Sequence, residues 1–356
     1  MRGMKTDMQN QVEQVDRIGL SLQAALVKNQ GLMVVVGRDG QGRDVTMDLA
    51  TLPHLLIGGS TGQGKSVFLH SLICSLVQNN SPEQVRFVLI DPKRVEFGVY
   101  AKLPHLYSPI VYESEQVVTM LKHVESEMDK RLDFFRLKGC RSIADFYKAN
   151  AEARMSYLIV AIDEFSDFIV GSDGTFESTV SRIVAMGRSA GIHLVMATSR
   201  PDIKVVTGAL KANIPGRLSF KVVSKADSRT LLGEVGAEEL SGRGSALLKT
   251  SNGAIVHVQI PLIRDDEIRE AVDSVLARYS EGEPESKSGI DRDEVLFDRA
   301  LELIRTTGRA SISHFQRQLD IGYNAAARLM DRLVEREIVS PVTGPGPREI
   351  FWKNVR

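Results

Sequence analysis

The sequence predicts an α/β protein with a mostly parallel sheet, followed by a small winged helix-turn-helix domain. Three observations carry this prediction. Residues Gly59-Ser60-Thr61-Gly62-Gln63-Gly64-Lys65-Ser66 spell G-x-x-x-x-G-K-S between a short apolar run and a helical pattern. From Thr51 to about Ala277, apolar strands alternate with amphipathic helices, the signature of a sheet covered on both faces. Past Gly289 the character changes to three short helical patterns and a turn region rich in Pro and Gly.

Taken in order, residues 1–15 are polar and read as a disordered tail. Residues 16–50 form a short region ahead of the main domain: a helical stretch, then Leu32-Met33-Val34-Val35-Val36-Gly37 and a Gly-rich turn, suggesting a strand pair. The main domain spans 51–278, with strand candidates at 54–58, 86–90, 157–162, 192–197, 217–223 and 245–249. After the glycine loop, Leu69, Leu72, Ile73, Leu76 and Val77 recur at helical spacing. Residues 279–290 are polar, broken by Pro284 and Gly289, and read as a flexible linker. In 291–356, three helical patterns precede Pro341, Gly344, Pro345, Gly346 and Pro347, placed where a winged helix carries its hairpin.

Composition narrows the class. A chain of 356 residues has room for two or three domains. Its 45 basic and 45 acidic residues balance, so any positive charge for nucleic acid must be placed locally, which counts against a passive DNA coater. Cys74 and Cys140 fall on predicted helices without metal-ligand spacing, and read as packing residues in a reducing compartment. No apolar run approaches the roughly 18 residues that span a bilayer. Met1 to Gln14 lacks the apolar core of a signal peptide, so the expectation is a soluble, cytoplasmic chain without a membrane segment.

The glycine loop is the first chemical signal. A strand that delivers such a loop onto a helix N-terminus aims free N–H groups and the helix dipole at phosphate. Gly59 to Gly64 would cradle ATP, Lys65 would reach the β- and γ-phosphates, and the Ser66 hydroxyl would ligate Mg²⁺. The complementary acids follow the strand Tyr157–Ile162. Asp163 would hold Mg²⁺, and Glu164 would polarise the attacking water. Asp91-Pro92-Lys93 follows another apolar strand; Asp91 and Lys93 either approach the phosphates or belong to a turn built around Pro92.

These strings, with several others, resemble the FtsK/SpoIIIE family of double-stranded DNA translocases. The resemblance runs through Pro53-His54-Leu55-Leu56, the glycine loop, Ile90-Asp91-Pro92-Lys93 and Asp163-Glu164-Phe165. It continues through Ala190-Gly191-Ile192-His193-Leu194, Lys211-Ala212-Asn213-Ile214-Pro215 and Ser224-Lys225-Ala226-Asp227-Ser228-Arg229-Thr230. The tail carries Ala310-Ser311-Ile312-Ser313, Gln316-Arg317-Gln318 and Ile321-Gly322-Tyr323-Asn324. The resemblance implies a RecA-like P-loop motor that assembles as a homo-hexameric ring around duplex DNA, with ATP between subunits. Arg188 matches the family's arginine finger, reaching a neighbour's γ-phosphate. Arg200, Lys225 and Arg229 match pore-loop positions that contact DNA phosphates. A site-specific recombinase is left open as a partner.

The chain departs from the family in places. Ser199 stands where Gln is usual, and is too short to span to a γ-phosphate in the same way. Gly216 replaces Thr, and Ser245 replaces Asp. The membrane domain and long linker of cell-division members are not in this sequence, which fits either a soluble relative or a fragment. In the tail, Asn324, Arg328 and Asp331 are spaced i, i+4, i+7 and share one helix face, while Leu329 and Leu333 point elsewhere and can anchor on Leu301, Ile304 and Phe315. Asn, Arg and a carboxylate suit adenine, guanine and cytosine in a major groove, and the resemblance places base reading at the same positions. A solvated face in a domain that docks a protein is the alternative. Two other functions compete with translocation: a type VII secretion-like export ATPase, against which the C-terminal winged helix counts, and a non-translocating DNA-binding scaffold.

Overall fold

A computed structural model describes residues 32–150, 155–169, 174–250, 252–280, 292–319, 323–336, 338–340 and 350–353. The expectations for 1–31, most of the linker and most of the wing lie outside the described residues; Tyr279 and Ser280, expected to begin the linker, are still helical. The chain divides into two compact units, Met1–Arg278 and Tyr279–Arg356.

The larger unit is built on one nine-stranded sheet. β1 (Met33–Arg38) and β2 (Asp44–Asp48) form an antiparallel hairpin. β3 (Leu55–Gly58) leads into α1 (Lys65–Asn79), and β4 (Val85–Ile90) is followed by α2 (Ser114–Leu137) and α3 (Ile143–Ala149). Next come β5 (Tyr157–Ile162), the short α4 (Ser166–Ile169) and α5 (Thr175–Ala190), then β6 (Ile192–Thr198) and α6 (Gly208–Asn213). β7 (Gly216–Phe220) and α7 (Lys225–Leu232) precede the hairpin β8 (Ser245–Lys249) and β9 (Ile255–Gln259), and α8 (Asp265–Ser280) closes the unit.

The strand order is β2-β1-β9-β8-β7-β3-β6-β5-β4. Strands β7, β3, β6, β5 and β4 are mutually parallel, and the remaining four extend the sheet antiparallel from β7. Parallel strands covered on both faces need apolar residues at every position, not at alternate ones. Leu55–Ile57, Leu158–Ile162 and Ile192–Thr198 are accordingly buried throughout. α5 lies against α2 over a shared core that includes Val117, Leu121, Val124, Val180 and Ile183. Arg182 ties the two helices at their solvent edge through Glu125 and Asp129.

Four details differ from the sequence-based expectation. The hairpin placed ahead of the main domain belongs to its sheet, because β1 pairs with β9. β7 stops at Phe220 because Ser224 opens α7 with a reciprocal capping box to Asp227. β9 was not anticipated, although Ile255, Val256 and Val258 favour a strand; it is short and largely half-exposed. Cys140 lies in the turn after α2 and is half-buried, whereas Cys74 is buried within α1.

The smaller unit contains α9 (Arg292–Thr307), α10 (Ile312–Leu319) and α11 (Tyr323–Glu335), with an antiparallel bridge between Val339 and Ile350. Gly308, at φ 63°, ends α9 with its N–H on Ile304 O. Leu329 and Leu333 share a core with Ile304, Phe315 and the partly buried Leu301, the anchoring expected from helical spacing.

Candidate active site

The glycine loop occupies residues 59–64, between the carboxyl end of β3 and the start of α1. Gly59 and Gly64 have φ of 151° and 121°, and an added Cβ would lie 2.6 and 2.9 Å from Phe220 atoms. Any other residue there would be strained in backbone and would clash, so only glycine lets the loop lie this close to β7. The loop is tied to the sheet by Ser60 N–H donating to Lys221 O at 2.8 Å. The first N–H groups of α1 lack intrahelical acceptors and face this loop, the anion site that the motif implies.

One cavity of about 510 Å³ is lined by Thr61 to Val67, Lys93, Glu96, Asp163, Glu164 and the segment Arg243, Gly244, Ile260 and Leu262. The two halves of the predicted chemistry therefore meet. Lys65 is buried, and its ammonium donates to Gly59 O at 2.8 Å and Ser60 O at 3.1 Å. Burial lowers its pKa, opposed by the nearby Glu164 and Asp163 carboxylates. The Ser66 hydroxyl donates to Glu96 Oε1 at 2.7 Å.

Asp163 and Glu164 follow β5 directly, and both are buried. Asp163 is pushed up to about 7, first by burial and then by the charges of Glu164, Glu96 and Asp91. Glu164 sits at φ +46°, a left-handed backbone that costs a non-glycine residue of order 1–3 kcal/mol. Ser199 Oγ donates to Glu164 Oε2 at 2.7 Å, and Lys93 Nζ lies 3.7 Å from the same oxygen. A carboxylate fixed in this way is aimed by the fold rather than left to sample rotamers.

The two alternatives for Asp91-Pro92-Lys93 divide between its residues. Asp91 is fully buried and takes the turn role: its Oδ2 accepts from Glu96 N–H and Phe97 N–H, both at 3.0 Å. Lys93 lines the cavity. Sequence reasoning missed Glu96, Arg243, Ile260 and Leu262. Glu96 had one signal, a carboxylate closing the loop after an apolar strand; the others come from distant segments that only the β8–β9 hairpin brings to the glycine loop.

Among the described residues, no three His, Cys, Asp or Glu side chains converge as a metal cage. The donors present are a hydroxyl and a carboxylate, which suits Mg²⁺ completed by nucleotide oxygens and water. Burial is the first cause of the raised Asp163 value; the neighbouring carboxylates add the repulsion that a divalent cation would relieve.

The remaining predicted residues lie outside this cavity. Arg188 is exposed near the C-terminal end of α5, beside the amino end of β6. The glycine loop leaves the carboxyl end of β3, which runs parallel to β6. A strand of this length separates the two edges by about 20 Å, so Arg188 does not face its own subunit's cavity. Arg200 follows the carboxyl end of β6, and Lys225 and Arg229 lie one helical turn apart on α7. All three are exposed. In the smaller unit Arg328 and Asp331 are exposed on α11; Asn324 lies on the same helix, and its side chain is outside the described residues.

Residues 23–203 match the FtsK/SpoIIIE family, and residues 291–353 match the FtsK gamma domain. The chain belongs to the FtsK/SpoIIIE family. It is 39% identical over 343 residues to the DNA translocase FtsK of Leptospira interrogans, covering 92% of this chain and 36% of that protein. It is 40% identical over 337 residues to the DNA translocase SpoIIIE of Bacillus subtilis, covering 90% of this chain and 43% of that protein. It thus spans less than half the length of either relative. Among solved structures, the pCW3 conjugation coupling protein TcpA with ATPγS is similar at TM-score 0.63 and 28% identity, over 70% of this chain and 71% of that one. The cytoplasmic domain of the type VII secretion ATPase EccC from Thermomonospora curvata is similar at TM-score 0.63 and 28% identity, over 70% and 31% of the two chains. The motor fold is that of a P-loop ATPase, and the gamma domain is a winged helix.

Proposed function

We propose that this chain hydrolyses ATP to move along double-stranded DNA as a homo-hexameric ring, and that its tail reads a short orienting sequence. One observation carries the reading. The phosphate loop from Thr61 to Ser66 and the acid pair share one cavity, in a chain whose tail matches the gamma domain. The relatives named above are DNA translocases, and the gamma-domain match favours duplex DNA over an exported polypeptide, although the export ATPase shares the motor fold.

The roles proposed for the residues rest on the cavity's lining and on the family resemblance. The glycine loop and the N-terminus of α1 bind the phosphates, and Lys65 places a positive charge among them. Ser66 and Asp163 would hold Mg²⁺, which neutralises charge on the phosphate oxygens. Glu164, braced by Ser199 and Lys93, accepts the proton of the attacking water. Arg188 projects from the opposite edge of the sheet and serves the neighbour's site. Charge spread over the transferring phosphoryl group is then stabilised only when two subunits meet, which couples hydrolysis to assembly. Arg200, Lys225 and Arg229 contact DNA phosphates, the contacts a motor needs if it is to ignore sequence.

The test is ATP turnover with and without duplex DNA. Strong stimulation by duplex and none by polypeptide is the expected result. Turnover indifferent to duplex would remove DNA as the track.

A further inference from the structure

Ser66 owes its importance to its oxygen, and a hydroxyl has one proton to give and two lone pairs to offer. Its proton goes to Glu96, on the loop after β4, and not to Asp163 at the end of β5. With the O–H committed to a carboxylate, both lone pairs of Oγ are left for a cation.

Glu96 is itself braced from the same helix. His70 Nε2 lies 3.2 Å from Glu96 Oε2, His70 Nδ1 lies 2.8 Å from Tyr100 Oη, and Tyr100 Oη lies 3.5 Å from Cys74 Sγ. Ser66, His70 and Cys74 are spaced i, i+4, i+8, so one face of α1 presents all three to the loop 91–100. Because an ionised carboxylate can only accept, the His70 Nε2–H donates to Glu96 Oε2, while either partner can donate in the His70–Tyr100 and Tyr100–Cys74 contacts. At its backbone, Glu96 is pinned by the N–H it donates to buried Asp91. Such a chain of buried polar groups serves no packing purpose that apolar residues would not serve as well. It fixes one oxygen of Glu96 against Ser66.

We infer that Glu96 is a positioning residue of the Mg²⁺ site. By taking the Ser66 proton it presents the hydroxyl oxygen to the metal, the task that outer carboxylates perform for metal ligands elsewhere. The inference rests on the reading of this cavity as a Mg²⁺–nucleotide site.

The test measures the Kd of a fluorescent, non-hydrolysable ATP analogue for the full chain, in saturating Mg²⁺ and in EDTA. The readout is the ratio of the two constants, so it does not depend on hydrolysis. Glu96→Ala should lower the Mg²⁺ enhancement by about tenfold or more while leaving the EDTA affinity within about twofold. Glu96→Gln, which keeps an acceptor oxygen but loses the charge, should fall between alanine and the unmodified chain. If Glu96→Ala does not fold, the glutamine variant carries the comparison. An equal loss in Mg²⁺ and in EDTA would make Glu96 merely structural and overturn the inference, as would an unchanged ratio in the folded variants. Failure of the cavity reading looks different: the unmodified chain would then bind no nucleotide, or would bind it as well after Lys65→Ala.

Discussion

At the scale of single residues, the proposed site divides its labour between Lys65, which would bind phosphate, and Glu164, which would take the proton of the attacking water. Lys65→Ala should abolish ATP turnover by removing the loop's ammonium. Glu164→Gln should bind ATP and fail to hydrolyse it, because an amide cannot take the water's proton. Filter binding alongside turnover separates the two, and near-normal turnover in either variant would refute these roles. Ser199 is the instructive departure. Too short to span to a γ-phosphate, it instead donates to Glu164 at 2.7 Å. A single hydrogen bond to a charged group contributes about 1.5–3 kcal/mol, so Ser199→Ala should lower kcat by about tenfold or more with little change in KM. A raised KM at constant kcat would instead make Ser199 a nucleotide contact. Lys65, Ser66, Asp163 and Glu164 were legible in the sequence because each sits at a fixed offset from an apolar run. Glu96 was not, since its partner Ser66 lies 30 residues away in sequence and only the β4 crossover brings them together.

Among the elements, the parallel core was the easiest to read, because doubly covered strands leave continuous apolar runs. The antiparallel extension was harder: β9 is short and follows a Gly-containing turn, so its β-branched Ile255, Val256 and Val258 were not recognised as a separate strand. The seam between β3 and β6 makes a further prediction. His54 and His193 lie 6.3 Å apart beneath it; His193 Nδ1 is 2.7 Å from Pro53 O, and His54 Nδ1 accepts from Leu194 N–H at 3.1 Å. Burial holds His54 down to about 3 and His193 down to about 4, with the neighbouring His193 charge adding to the effect on His54. In the unfolded chain each would titrate near 6.5. Both folded values are depressed, so the unfolded chain binds these protons first. Their contribution to stability is present above about pH 6.5 and is lost as pH falls toward 4 and 3. Thermal melts of His193→Leu should therefore lose less Tm between pH 7 and pH 5 than melts of the unmodified chain. An equal loss would place the acid sensitivity elsewhere. Arg200, Lys225 and Arg229 make the matching prediction at the carboxyl edge of the sheet. Alanine at each should weaken duplex-stimulated turnover equally on unrelated sequences and flatten the salt dependence of binding. A sequence-dependent loss would mean that they read bases.

For the whole molecule, the proposed ring would make assembly part of the chemistry, because Arg188 lies on the edge away from its own glycine loop. Mixing Arg188→Ala subunits with Lys65→Ala subunits should restore partial turnover, because some interfaces then join two intact halves. Confirmed mixed rings without rescue would return the arginine to its own subunit. In the proposed function the tail would add direction to the motor. Arg328 and Asp331 are exposed on α11 while Leu329 and Leu333 are buried, so the face proposed to read DNA is open and the anchoring face is filled. Arg328→Ala should cost that unit's preferred sequence about 1–3 kcal/mol and leave binding to other duplexes little changed. The proposed function stands on one claim, that duplex DNA stimulates ATP hydrolysis by this chain. Steady-state ATP turnover of the full chain, titrated with duplex of unrelated sequences and set against Lys65→Ala, tests it most directly. Turnover should rise strongly with any duplex and vanish in the variant; turnover that ignores duplex, or survives the loss of Lys65, would refute the proposed function.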